Sequence, residues 1–542
     1  MRQAISLLLV LAAGVAARAA SGCTNIIVTK GASAEGSVII SYSVDGEYYP
    51  TLRATPAADH APGDVFEVKG RDGKVELRIP QPPHTWATVG IMNERGVAIG
   101  ETTFDGRPEL QNKRGGLRYW TLMQLAVQRA ATAREAIKVM ADLVAEYGYR
   151  STGETFSIGD PNEAWIMEMI GPGDGGQGAI WVAVRVPDGT IAAHANKSRI
   201  ATFPLHDPDN CVYSPNVVQF AIAHGYYNPK TDGPFRFCDA YCPATAATLR
   251  ATEMRVWSVF RRAAPSLDLA ADYARGVAGA KPFPLAIHPD RKLSVQDVIA
   301  LMRDHYEGTP YDMTKGVDAG PYGSPMRVRP LTFKLGGQAY AWERPISTQQ
   351  TACSFVADLR AKMPDPLTGV LWYGLDDTYM SCYFPLYAGI TEVPASYARG
   401  DLQTFSWDST WWVFNLVANY AQLKFSYMVK DIQVVQRELE GNFFALQPAI
   451  ESTTAAIAKT DPARARRLLT DYCVSAGEQV DRRWRELAGK LFAKYNDGYV
   501  QDANGQPQEI GYPEAWLRDV VTLRPEQFKL PPGTPAEPAP AQ

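Results

Sequence analysis

The sequence carries no excess of either charge: 54 Lys and Arg stand against 58 Asp and Glu, a formal net charge of −4 over 542 residues. That balance excludes the basic footprint of a nucleic-acid binder and the acidic tail of a solvated spacer, and it suits a neutral or zwitterionic small substrate. Beyond the first 22 residues no apolar run is long and uncharged enough to span a bilayer. No internal repeat is present. The glycine-rich stretch 171–178 lacks GxxxxGK[ST] and precedes a strand pattern, so it reads as a hairpin loop and not as a phosphate cradle. Cys238 and Cys242 have no second Cys or His pair at metal-ligand spacing, which argues against zinc; no metal and no cofactor is expected.

What is present describes a globular chain, 46% hydrophobic and 21% charged, long enough for one large domain with an elaboration or for two or more ordinary ones. Residues 1–22 combine a positive start, an apolar run over 4–17 and small residues, the pattern of a secretory signal. The mature protein is therefore expected in a periplasm or outside the cell. Cleavage after Ala19 or after Gly22 fits the small residues, and only the second frees the amine of Cys23. Seven cysteines leave at least one without an intramolecular partner, and Cys23 is the candidate. The others, Cys211, Cys238, Cys242, Cys353, Cys382 and Cys473, form up to three disulfides in an oxidising compartment or remain buried thiols.

Along the chain, 24–29 and 37–42 read as a hairpin that begins at Cys23, and 88–92 with 96–103 as a second hairpin around Asn93-Glu94. Residues 117–147 change to helical period with a break at 131–133, and Thr132 with Glu135 predicts a capping box for the second helix. Strands follow at 155–159, 164–170, 180–186 and 190–195. The Pro- and Gly-rich middle, 200–340, reads as insertions over the site, with helices at 244–263 and 295–305. Strands return at 347–360 and 370–389, and helices dominate 411–439, 441–458 and 462–494. The organisation is thus a leader at 1–22, a catalytic domain at 23–400, a helical region at 401–525 and a Pro/Ala-rich tail at 526–542 expected to be disordered. Strands, helices and strands in runs point to an α+β sandwich of antiparallel sheets covered by helices. Trp411, Trp412 and Phe414, at helical spacing, read as core.

An N-terminal cysteine would carry its own base, because an α-amine titrates near the thiol and can take its proton directly or through water. Taken without that context, Cys23 is a buried structural thiol, Asp45 a turn residue, Asn196 a cap or turn residue, and His194 a structural or exposed imidazole at a strand end.

Several segments carry a resemblance: CTNIIVTKGASAEGS from Cys23, SVD ending at Asp45, MNERGVAIGETTF from Met92, RAATAREAI from Arg129, FSIGDPNEAWIMEMIG from Phe156, WVAVRVPDG from Trp181, HANKSRI from His194, then GPYGSPMR, RPISTQQT and YFPLYAGI. In that order they span most of the chain, which resembles the cysteine dipeptidases related to dipeptidase A, relatives of bile-salt hydrolases and penicillin V acylases among the N-terminal-nucleophile hydrolases. The resemblance implies an αββα sandwich, Cys23 as nucleophile, Asp45 as the carboxylate that orients its amine, Asn196 as oxyanion donor, and Thr103 as a further oxyanion or substrate contact. Many relatives carry an arginine three residues before the aspartate. Here that place is Tyr42, so Arg199 and Arg344 are the candidates to supply a cation beside the thiol, or the α-ammonium serves alone.

The reading is an exported dipeptidase acting on dipeptides or very short peptides, with homo-oligomerisation open. Two others remain: an acylase acting on N-acylated amino acids, and a surface lipoprotein with Cys23 lipidated and a binding role.

Overall fold

The computed structural model of the protein describes residues 22–46, 48, 52–70, 72–113 and 115–534. The expected leader, Gly22 apart, and the chain end from 535 onward lie outside the described residues.

Two large antiparallel sheets organise the first 390 residues. The first runs in the order Ala286–Ile287, Ile191–His194, Thr24–Val28, Val38–Asp45, Thr351–Leu359, Gly369–Leu375 and Phe384–Tyr387. The second runs Cys211–Tyr213, Ile180–Arg185, Ala164–Ile170, Gly153–Gly159, Ala98–Phe104, Met92–Asn93, Thr88–Val89 and Ala54–Thr55. Thr24–Val28 and Val38–Asp45 form the expected hairpin, with Ile26 opposite Ser41. They lie against Ala98–Phe104 and Gly153–Gly159 of the second sheet. Burial on both faces explains why they read as near-continuous apolar runs. Gly100 permits the approach: a Cβ there would stand 2.6 Å from Asn25 Nδ2 and 3.0 Å from Tyr42 Cβ.

Helices cover these sheets. Tyr119–Arg129 packs on Ala98–Phe104, and Ala133–Tyr147 packs on Gly153–Gly159 and Ala164–Ile170. Ala246–Ala263 packs on Ile191–His194, and Val295–Met302 on Val38–Asp45 and Thr351–Leu359. The molecule is a mixed α+β protein built on antiparallel sheets. The Thr132 hydroxyl accepts from the Glu135 N–H at 3.2 Å, as the capping pattern predicts. The Glu135 carboxylate accepts from Ala131 N at 2.7 Å, one residue earlier than the box requires. Asn93 shapes the second hairpin by accepting from Arg95 N and Val97 N, and donates to the carbonyls of Val127 and Ala130 at the end of Tyr119–Arg129.

Differences from the sequence reading fall where local signals compete with packing. Residues 370–389 hold two strands and not one. The C-terminal helices break at Gln422–Lys424, and Phe425–Ala458 then runs through Gly441 without interruption. A mid-helix glycine costs only about 1 kcal/mol relative to alanine, less than the burial of Ile432, Leu439 and Phe443 on the same helix supplies. This helix and Pro462–Lys494 pack on each other and on Phe384–Tyr387. Trp411 and Phe414 are buried, as read, and Trp412 is half-buried against Trp411. Of the tail expected to be disordered from 526, the first residues, 526–528, instead complete a short helix Pro525–Phe528. All seven cysteines are free thiols and six are buried, so the structure shows the unbonded alternative and no disulfide.

Candidate active site

Cys23 stands immediately before the central strand Thr24–Val28 and is 4% exposed. Thr24 lies opposite Ser43 in the neighbouring strand, so the register brings Asp45, at that strand's end, beside the start of the first. The Asp45 carboxylate is buried. It accepts from Arg344 Nη2 at 2.9 Å and from the Thr351 hydroxyl at 2.8 Å. Burial raises its pKa, and Arg344 and then Arg255 oppose that shift.

Asn196 follows the strand Ile191–His194 at φ 59°, a left-handed conformation that asparagine tolerates better than most residues. The turn reading of Asn196 and its position at the site are therefore compatible. Its amide donates to the Thr103 carbonyl at 2.6 Å, and its Oδ1 accepts from Arg255 at 2.8 Å and Arg344 at 3.4 Å.

Arg255 was not a candidate from sequence. It sits on the buried face of Ala246–Ala263 and is wholly enclosed. Its guanidinium donates to the Cys23 carbonyl at 2.7 Å, the Thr24 hydroxyl at 2.9 Å and Asn196 Oδ1, with a longer bond to the Ala195 carbonyl. Burial, then Arg344, lowers its pKa to about 9, which leaves it a cation at neutral pH. Its neighbours along that helix face, Ala251, Thr252, Ser258 and Val259, are mixed in character, so no apolar stripe marked it out in the sequence.

The two proposed cations part company. Arg344 donates to the Gly22 carbonyl and to Asp45, and its charge favours the Cys23 thiolate. Arg199 is turned elsewhere: it pairs with Glu253 at 3.1 Å and donates to the carbonyls of Ala193 and Pro284. His194 is likewise structural, held between the Thr102 and Ser157 hydroxyls at 2.7 Å each, and burial pushes its pKa down to about 3.

On the other side of the sulfur stands Glu101, also missed. Cys23 Sγ lies 3.5 Å from Glu101 Oε1, which accepts from the Tyr42 hydroxyl at 2.6 Å. The Thr103 hydroxyl lies 3.5 Å from Oε2. Glu154, in the next strand, is directly opposite Thr103 and is also buried. Burial foremost, then Glu101 and Asp45, pushes the Cys23 thiol well up. Each glutamate is the sole charge in its strand, AIGETTF or GETFSIG, which is the signal sequence reading passed over.

The site therefore gathers Cys23, Asp45, Asn196, Thr103, Tyr42 and Arg344, adds Arg255, Glu101 and Glu154, and leaves out Arg199. Neither of two surface clefts, one at Tyr322 and Gln422 and the other at Arg53 and Trp120, includes Cys23. Gly22 occupies the space in front of it, packed so closely on Arg344 and Asn196 that no Cβ fits. Among the described residues no cluster of three or more His, Cys, Asp or Glu could hold a metal ion, and no helix is long and apolar enough to cross a membrane.

Residues 76–438 match peptidase family C69, and the chain belongs to that family. Most of the gathered residues fall inside the match; Cys23, Tyr42 and Asp45 precede it. The chain is similar to a probable dipeptidase of Salmonella dublin, 27% identical over 390 residues, 68% of this chain and 81% of the relative. It is also similar to dipeptidase A of Lactobacillus helveticus, 24% identical over 420 residues, 73% of this chain and 81% of the relative. A probable dipeptidase A of Streptococcus pyogenes serotype M3 (strain SSI-1) is 23% identical over 481 residues, 83% of this chain and 94% of the relative.

Proposed function

We propose that the protein is an exported dipeptidase of the N-terminal-nucleophile type, active once residues 1–22 are removed and Cys23 becomes the first residue. The observation that carries this reading is the convergence of Asp45, Asn196 and two arginines on a cysteine that opens a central strand, in a chain whose relatives bear the name dipeptidase. The paired sheets with helices packed on them fit the αββα sandwich of that class.

In the mature form the Cys23 α-amine takes the thiol proton and the sulfur attacks the peptide carbonyl. Asp45, held by Arg344 and Thr351, orients the amine. Asn196 donates its second amide hydrogen to the oxyanion; a donor so placed is worth about 3 kcal/mol of barrier. The α-ammonium protonates the leaving amine, and water cleaves the thioester. Arg344 takes the role expected of the arginine that Tyr42 replaces. In the unprocessed chain Arg344 binds the Gly22 carbonyl, so Gly22 stands in the position a substrate needs. The burial of Cys23 opposes a lipid anchor on its sulfur.

N-terminal sequencing of the secreted product, together with a dipeptide assay, tests this reading. The expected result is a protein that begins at Cys23 and cleaves dipeptides. A protein that turns over dipeptides while beginning elsewhere, or with a blocked terminus, overturns it.

A further inference from the structure

We propose that Glu101, backed by Glu154, is the receptor for the free α-ammonium of the substrate's N-terminal residue. The inference rests on the dipeptidase reading and deepens it.

Buried carboxylates are ordinarily paired with a cation. Among the described residues, neither Glu101 nor Glu154 has an arginine, lysine or histidine within ion-pair distance, although both are almost wholly buried. Their neighbours are hydroxyls and a thiol: Tyr42, Thr103 and Cys23 at Glu101, and Ser151 at 3.0 Å from Glu154 Oε1. Glu154 Oε2 has no hydrogen-bond donor when both groups are ionised. The Glu101 and Glu154 carboxyl groups also meet one another, and burial raises the pKa of both; one proton between them leaves the pair with one negative charge, the complement of one ammonium.

Covalent geometry gives the position. In a dipeptide the α-nitrogen lies about 2.5 Å from the carbonyl carbon under attack, fixed by the N–Cα–C angle. A sulfur poised at about 3 to 3.5 Å from that carbon therefore stands within a few ångströms of the ammonium. Glu101 Oε1, 3.5 Å from Cys23 Sγ, is within reach of the same nitrogen. An anion at that place works against the thiolate while the site is empty, and a bound ammonium cancels the opposition. It also fixes the register, because a charge held two bonds from the scissile carbonyl admits one residue ahead of the cleaved bond. The neutral acyl group of an N-acylated amino acid would leave the buried carboxylate uncompensated.

The test compares alanyl-alanine with propionyl-alanine, which lacks only the amine, on the processed enzyme. The readout is the ratio of their kcat/KM values. The wild type is expected to favour alanyl-alanine strongly, and Glu101→Gln to shrink that ratio by about 100-fold, the scale of a lost buried charge partner. Glu101→Asp, which keeps the charge, is expected to retain most of the preference and serves if the glutamine variant does not fold. A ratio unchanged in Glu101→Gln, or reduced equally in Glu101→Asp, overturns the assignment while leaving the dipeptidase reading intact. A wild type that hydrolyses propionyl-alanine as well as alanyl-alanine overturns the dipeptidase reading itself.

Discussion

Two acidic groups flank the sulfur of Cys23, and they are housed in opposite ways. Asp45 is held by the Arg344 guanidinium and the Thr351 hydroxyl, with Arg255 close by. Glu101 shares its enclosure with Glu154 and meets hydroxyls and the thiol, with no cation in ion-pair range among the described residues. Both lie in strands, both are buried, and both have raised pKa values with burial as the main cause. The difference is compensation. One side of the nucleophile is electrostatically complete in the folded chain, and the other is complete only when something positive enters.

The largest expected effect lies between the two sides. Cys23→Ala should lower dipeptide turnover by about ten-thousand-fold or more, with an unchanged melting temperature. Retained activity would remove the sulfur from the chemistry and leave the contrast without meaning. Next, Asp45→Asn should destabilise the fold by about 3–5 kcal/mol in urea denaturation, because it strands Arg344 and leaves Arg255 less compensated. Glu101→Gln should cost less than about 1 kcal/mol, since it strands no cation. Equal losses would show that the two enclosures do not differ. A smaller effect is expected in pH dependence. A raised folded-state pKa means that the native state binds more protons than the unfolded chain between the ordinary glutamate value and the shifted one. Stability contributed by Glu101 and Glu154 is therefore full below the ordinary value and falls as pH rises through the shifted range. Urea midpoints from pH 4 to 8 should show that decline, and Glu154→Gln should flatten it. Smallest, Arg255→Lys should lower kcat roughly tenfold by loosening Cys23 and Asn196 together, while Arg199→Lys should leave kcat within a factor of about two, because its contacts are with Glu253 and the carbonyls of Ala193 and Pro284 and none is with Cys23 or Asn196.

The parts legible in the sequence were those set by local chemistry. The hairpin behind Cys23, the Thr132 cap and the turn at Asn196 each follow from residue type and spacing. The parts missed depend on long-range burial. Arg255 is 232 positions from the carbonyl it binds, and nothing local distinguishes it from Arg250, which pairs with Glu343 nearer the surface. Arg199 and Arg344 were equal candidates in one dimension; the turn after His194 sends the first toward Glu253 and leaves the second facing Asp45. Glu101 and Glu154 sit in strands whose period-2 pattern does not reveal that both faces are buried. The break expected near Gly441 failed because the helix there is held by packing.

The bonds of Arg255 carry a consequence for how such a chain can diverge. Its helix belongs to the irregular middle of the sequence, yet one planar side chain ties the first residue of the proposed enzyme to the turn that bears its amide donor. The decorated middle is therefore a keystone for the strands beneath it: loops around it can lengthen or shrink, but deletion of 246–263 would remove the guanidinium that joins the sulfur-bearing residue to the amide and leave only Arg344 and the strand pairing to relate them.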